Sequence, residues 1–244
     1  SPVSAVSPFT QNLEHDKSVS PFKVIIVDEK GCARYSGLVI EGVTVQESPT
    51  WLKNRLQSIG VRSINNIVDI TNYILHETGQ PLHAFDASEI KENKVVVKKY
   101  AAGTKFTTLD GVERSLQAND LMITDGVKPM CIAGVFGGLQ SGVKSTTKNI
   151  FLESAWFENV HIRKTSLHHC LRTDAATRFE KGVDVDGTVK VLLRAAKMIQ
   201  EIAGGKCSEV VDVYPNPAKK AVVHLSFSYL KKLSGKTYPV SPAV

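Results

Sequence analysis

The stretch SINNIVDITNYILHETGQPLHAFD, Ser63–Asp86, carries the reading from which the rest of the chain is organised. A helix is expected to follow Ser63 and to end before Gly79, with Pro81 just beyond it. Its apolar stripe runs Ile64, Ile67, Val68 and Leu75 at helical spacing. Thr71 and Asn72 fall on the same stripe, although both are mediocre helix formers and a buried amide needs hydrogen-bond partners. Either they bond to neighbouring backbone, or the helix breaks there, or two polar groups are presented inward toward a pocket. Twelve residues after Thr71, past a Gly-Gln-Pro turn, comes His83, which such a turn can bring back over the helix's inward face.

Before this stretch, KVIIVD (Lys23–Asp28), a turn at Glu29-Lys30-Gly31 and the β-rich run Ala33–Val45 read as a hairpin. Ser48-Pro49 opens a helix with Ser as N-cap, and Gly60 closes it. After it, Val95–Phe157 is strand-like, with Asp110-Gly111 marking a hairpin, a glycine-dense run CIAGVFGG (Cys131–Gly138) and a strand NIFLESAWF (Asn149–Phe157). Asp186 is expected to cap a helix over Asp186–Ala203, with Val189, Leu192, Leu193, Ala196, Ile199 and Ile202 on one face and Gly204 at its end. Strands interleaved with a few helices, without regular βαβ spacing, predict an α+β fold: a mixed or antiparallel sheet, or a barrel-like core, with several packed helices. Residues 1–20 read as a linker or the edge of an excised fragment. A body over 21–217 follows, and 218–244, with HLSFSYLKKLSGK, as the truncated start of another, helical module.

The 244 residues are 42% hydrophobic and 22% charged, an ordinary globular balance. No apolar run approaches the roughly 18 residues that span a bilayer, and the start lacks a charged region followed by an apolar one, so it is not a secretory signal. Cys32, Cys131, Cys170 and Cys207 lie far apart with no CxxC pair, which predicts reduced thiols and a cytoplasmic protein. The net charge of +6 permits an anionic partner such as RNA, or reflects only a slightly basic surface.

A second anomaly is Glu153, a carboxylate in an otherwise apolar strand. Alternation puts it on one side with Phe151 and Ala155, which favours a pocket lining over open solvent. Other motifs fail on spacing. The run at Gly134 is not GxGxxG, Ser141 is one residue too late for GxSxG, and SGVKST lacks the Gly-Lys of a P-loop. His168-His169-Cys170 has no second cluster to complete a metal site, so no metal is expected. Arg163, Lys164, Arg172, Arg178 and Lys181 form either a phosphate-facing patch or a solvated surface.

From about Pro49 to about Pro217 the chain resembles the editing-domain region of bacterial-type phenylalanyl-tRNA synthetase β subunits. The matching runs are Ser63–Asp86, TLDGVER, IAGVFGG with SGV shortly after, RKTSLHH and LRTDAATRFEKGVD. Phe136, Asp174 and Ala176 stand where Met, Glu and Ser are commoner. The resemblance implies hydrolysis of tyrosine mischarged onto tRNA-Phe, a second sieve for an isostere bearing one added hydroxyl. It assigns hydroxyl recognition to Glu153, the room for the ring to Gly134 with Ala175 bordering the slot, and the ester-side polar residues to Thr71, Asn72 and His83. Water oriented by His83, Asn72 and a terminal-ribose hydroxyl would attack the ester. It further implies tRNA contact by the basic cluster, an α subunit as partner in an α2β2 heterotetramer, and no cofactor in this fragment, ATP and Mg2+ serving the whole synthetase. The competing expectation is a module that holds tRNA and the α subunit without hydrolysis.

Overall fold

The computed structural model describes residues 7, 9, 19–219 and 221–238, so most of the expected linker over 1–20 lies outside the described residues. Chain order begins β1 (Lys23–Ile26), β2 (Cys32–Glu41), α1 (Thr50–Ser58), α2 (Asn66–Thr78), β3 (Leu82–Asp86) and β4 (Lys94–Lys99). Next come β5 (Lys105–Thr107), β6 (Glu113–Ser115), β7 (Leu121–Thr124), β8 (Pro129–Ile132), β9 (Phe136–Gly137) and β10 (Asn149–Phe157). The series ends with α3 (Asn159–His168), α4 (Asp174–Lys181), α5 (Thr188–Ala203), β11 (Lys206–Cys207), β12 (Val211–Val213) and α6 (Phe227–Ser234).

The fold is α+β, built on two open sheets rather than a closed barrel. One runs β1-β4-β7-β8-β9, the other β11-β2-β10-β3 with β12 also pairing β2, and β5-β6 is the hairpin expected at Asp110-Gly111. Strand β10 is central, and both of its faces are covered, which is why NIFLESAWF is almost wholly buried. Its odd positions Phe151, Ala155 and Phe157 join Tyr35, Val39 and Phe85 in a core shared with the first sheet, α3 and α4. Its even positions Ile150 and Leu152 join Leu38, Ile40 and Ala84 under α1, α2 and α5.

The two segments expected as a hairpin part company. The turn forms, with the Cys32 N–H donating to the Asp28 carbonyl at 2.9 Å, but β1 pairs parallel with β4, Val24 beside Val95. Both edges of β2 are already taken, by β10 on one side and by β11 and β12 on the other. Alternation in Lys23–Ile26 is satisfied equally well by a parallel neighbour, so local pattern does not choose between the two pairings.

Helix α2 begins at Asn66, one turn later than Ser63, because the Asn65 side chain caps it by accepting from the Val68 N–H. Gly79 ends it in the left-handed conformation, φ 79°. Ser48 does not cap α1; its hydroxyl donates to the buried Asp69 carboxylate, which also receives the Ser63 hydroxyl and the Ile64 N–H. That cluster ties the starts of α1 and α2 together. Nor does Asp186 cap α5: a short 3-10 turn over Val185–Gly187, capped by Asp184, precedes the helix. Helix α6 falls within the expected following module, and none of its residues is buried.

Candidate functional site

The later start of α2 changes which side chains face the core. Ile67, Ile70 and Ile74 are fully buried, each burial contributing about 1.5–3 kcal/mol, whereas Ile64 precedes the helix and is 65% exposed. The buried Thr71 donates its hydroxyl to the Val68 carbonyl at 2.7 Å, which satisfies it within the helix. Asn72 is half-buried and makes no side-chain hydrogen bond among the described residues.

Strand β3 follows directly, and its alternation decides where His83 points. Ala84 packs toward the α2 core and Leu82 packs against it from the strand's end. His83 faces the other way, edge-on to Phe85 with ring centroids 4.4 Å apart. The expected placement of His83 over the inward stripe of α2 is therefore corrected: one residue of register puts it on the opposite face of the sheet. There it is the register partner of Glu153, whose own partner on the other side is Gly37.

Glu153 is 5% exposed, in agreement with its placement beside Phe151 and Ala155. Burial pushes its carboxyl up to about 8, and a hydrogen bond donated by the Tyr35 hydroxyl to Oε2 at 2.6 Å opposes part of that rise. Among the described residues Oε1 makes no hydrogen bond. Burial pushes the Tyr35 phenol well above its ordinary value, with Glu153 adding to the effect, so Tyr35 stays a donor. His83 is driven the other way, down to about 4, by burial alone. Its Nε2 is out of contact with solvent and has no hydrogen-bond partner. At neutral pH the site therefore holds a mostly neutral carboxyl facing a neutral imidazole, each with unused hydrogen-bonding capacity.

The remaining expected residues gather around the start of α4. The Thr173 hydroxyl donates to the Val135 carbonyl at 2.9 Å, anchoring the helix to the turn that contains Gly134. His76 on α2 lies 3.7 Å from Asp174. Asn72, one turn before His76, and Ala175, next to Asp174, thus border the same junction. Gly134 has φ 66°, and a Cβ there would come within 2.9 Å of Phe157 and of Phe179. The space its missing side chain leaves is filled by those two rings, so glycine is required by backbone conformation and core packing.

Arg163 and Lys164 lie on the solvent side of α3, opposite its buried Ile162, Thr165 and Ser166; Arg172 follows, and Arg178 and Lys181 end α4. None of these five forms an ion pair among the described residues, whereas Arg34, Arg114 and Arg194 are each bonded to a carboxylate. Ser141 is buried and donates to the Met130 carbonyl at 2.7 Å, which leaves it unsuited as a nucleophile. His169 bonds the buried Asp120 at 2.6 Å, and no group of three or more potential ligands among the described residues could hold a metal ion. A cleft of about 370 Å³ at the end of α2, bordered by Thr78, Gln80, Val183 and Lys190, contains none of the expected site residues.

The B3/4 domain model matches residues 31–204. The chain belongs to that family. The phenylalanine–tRNA ligase β subunit of Porphyromonas gingivalis is 54% identical over 227 residues, covering 93% of this chain and 28% of that protein. The corresponding subunits of Bacteroides fragilis and Bdellovibrio bacteriovorus are 51% and 52% identical over 93% and 80% of the chain. The chain thus spans less than a third of the length of the relatives it matches. An N-terminal fragment of the phenylalanyl-tRNA synthetase β subunit from Pyrococcus horikoshii has a similar fold, with TM-score 0.55 at 13% identity over 93% of this chain and 64% of that one. Among the described residues of this B3/4 domain, no helix is long and apolar enough to cross a membrane. Tyr35 is the residue that sequence reasoning missed. Its contact with Glu153 spans 118 positions, and within RYSGLVIE nothing separates it from an ordinary core tyrosine.

Proposed function

We propose that this B3/4 domain is the editing module of a phenylalanine–tRNA ligase β subunit and hydrolyses the ester of tyrosine mischarged onto tRNA-Phe. The observation that carries this reading is Glu153, a buried carboxyl with one oxygen unused, whose register partner is the half-buried His83, its Nε2 shielded from solvent and without a hydrogen-bond partner. A phenol hydroxyl both donates and accepts, so it can satisfy such groups; a phenylalanine ring leaves them unpaired at a cost of about 1–3 kcal/mol each. His83 at about 4 is too weak a base to take a proton efficiently at neutral pH. It serves as a neutral hydrogen-bonding group that orients tyrosine or water. Thr71 and Asn72 border the ester side, the aminoacyl ester being already activated, and Ala175 borders the slot for the ring. The unpaired cations from Arg163 to Lys181 receive tRNA phosphates. In the full enzyme, the α subunit of an α2β2 assembly would carry out aminoacylation with ATP and Mg2+, in the cytoplasm.

The test is release of tyrosine from tyrosyl-tRNA-Phe by the assembled synthetase. Glu153→Ala should abolish preference for the tyrosyl over the phenylalanyl ester, and His83→Ala should slow deacylation. A synthetase that binds tyrosyl-tRNA-Phe but releases no tyrosine would favour the second reading, a module for holding tRNA and the partner subunit.

A further inference from the structure

The editing reading leaves open how a flexible carboxylate comes to present one oxygen, and only one, to a ligand. We propose that Tyr35 is a positioning residue for specificity: by donating to Oε2 of Glu153 it fixes the carboxyl and leaves Oε1 as the single oxygen available to a substrate hydroxyl. This inference rests on the role proposed for Glu153.

Tyr35 is fully buried on β2, diagonal to Glu153 across the ladder, where its register partner is Ala155. Between them the partner of Glu153 is Gly37, and a Cβ there would come within 2.3 Å of the Phe151 ring. The ring thus lies over the bare backbone, leaving no side chain on Gly37 to separate the tyrosine from the carboxyl. Among the described residues the Tyr35 hydroxyl has no other acceptor; were it to accept a proton from Glu153 instead, its own hydrogen would be orphaned in the core. Oε2 must then be the acceptor, so the proton of the neutral acid resides on Oε1. That oxygen donates to a phenol when the acid is neutral and accepts from it when ionised, and in neither state is it satisfied by a bare ring. The groups facing this carboxyl are Tyr35 and Cys32 from β2, His83 from β3 and Cys131 from β8. Burial pushes both thiols upward, so neither supplies charge.

The experiment uses the full synthetase and compares deacylation of tyrosyl- and phenylalanyl-tRNA-Phe from pH 6 to 9. Tyr35→Phe removes one oxygen atom and should reduce the preference for the tyrosyl ester by about tenfold, the size of one hydrogen bond to an ionisable group. The loss should appear in KM with kcat little changed. Any pH midpoint in the preference should move upward, because the hydrogen bond that favours ionised Glu153 is gone. Site-specific 3-fluorotyrosine at position 35 keeps the hydroxyl as a stronger donor and should move that midpoint downward, a readout that survives should Tyr35→Phe fold poorly. Added to Glu153→Ala, Tyr35→Phe should change the preference no further. Unaltered preference and midpoint in both Tyr35 variants, with Glu153→Ala still abolishing preference, would overturn the role of Tyr35 and leave the editing reading standing. A silent Glu153→Ala would overturn both.

Discussion

Replacing Glu153 by Gln tests the electrostatics of the site without any substrate. The carboxyl has an ordinary value of 4.5 and is raised by burial to about 8 in the folded chain. A group whose folded value is raised contributes stability below its unfolded value and loses it as pH climbs to the folded one. The loss therefore runs from pH 4.5 to about 8, at about 1.4 kcal/mol per pH unit, with a ceiling of about 5 kcal/mol. Water entry and relaxation around the charge lower that ceiling, so about 2–3 kcal/mol is the expected difference. Glutamine has no such titration. Its amide carbonyl still accepts from Tyr35, while its amide nitrogen costs about 1 kcal/mol at every pH. Urea denaturation should thus find Glu153→Gln slightly less stable than wild type at pH 5 and more stable at pH 8.5. Two stability curves that stay parallel across this range would refute the assignment of a buried, neutralised carboxyl.

The opposite slope is expected at His83, whose folded value of about 4 lies below its ordinary 6.5. Its contribution is present above pH 6.5 and lost as pH falls toward 4, so His83→Gln should flatten the acid limb of the same denaturation curves. Gly134→Ala should destabilise the chain by about 2–4 kcal/mol in urea melts, combining a left-handed φ of 66° with collision against Phe157 and Phe179.

What the sequence shows of this fold depends on how local the cause is. The α2 helix, the β5–β6 hairpin and β10 were legible because caps, turn glycines and alternation act within a few residues. The pairing of β1 was not, since alternation in Lys23–Ile26 fits any neighbour and the choice is made by β4 some seventy residues on. Glu153 was legible as an anomaly because its apolar neighbours Phe151 and Ala155 share its face. The surroundings of His83 were not. Its spacing from Thr71 suggested a turn back over the helix, but β3 pairs with β10, and that register sends the ring to the other face. The difference is one residue of alternation, which no property of His83 itself records.

That register has a consequence for the chemistry. Glu153 and His83 are partners across two strands, yet they form no hydrogen bond, and burial neutralises each rather than pairing them as ions. Were they an ion pair, a substrate would have to break it, and a neutral phenol would compete poorly with a full charge. As two neutral groups with unused capacity they offer a weak, geometrically specific welcome to one hydroxyl. A ligand carrying its own charge would have to lose its hydration without a counter-charge in return. The selectivity proposed for this site therefore follows from the same burial that shifts both groups, and a variant that admitted water to β3 and β10 would be expected to lose both together.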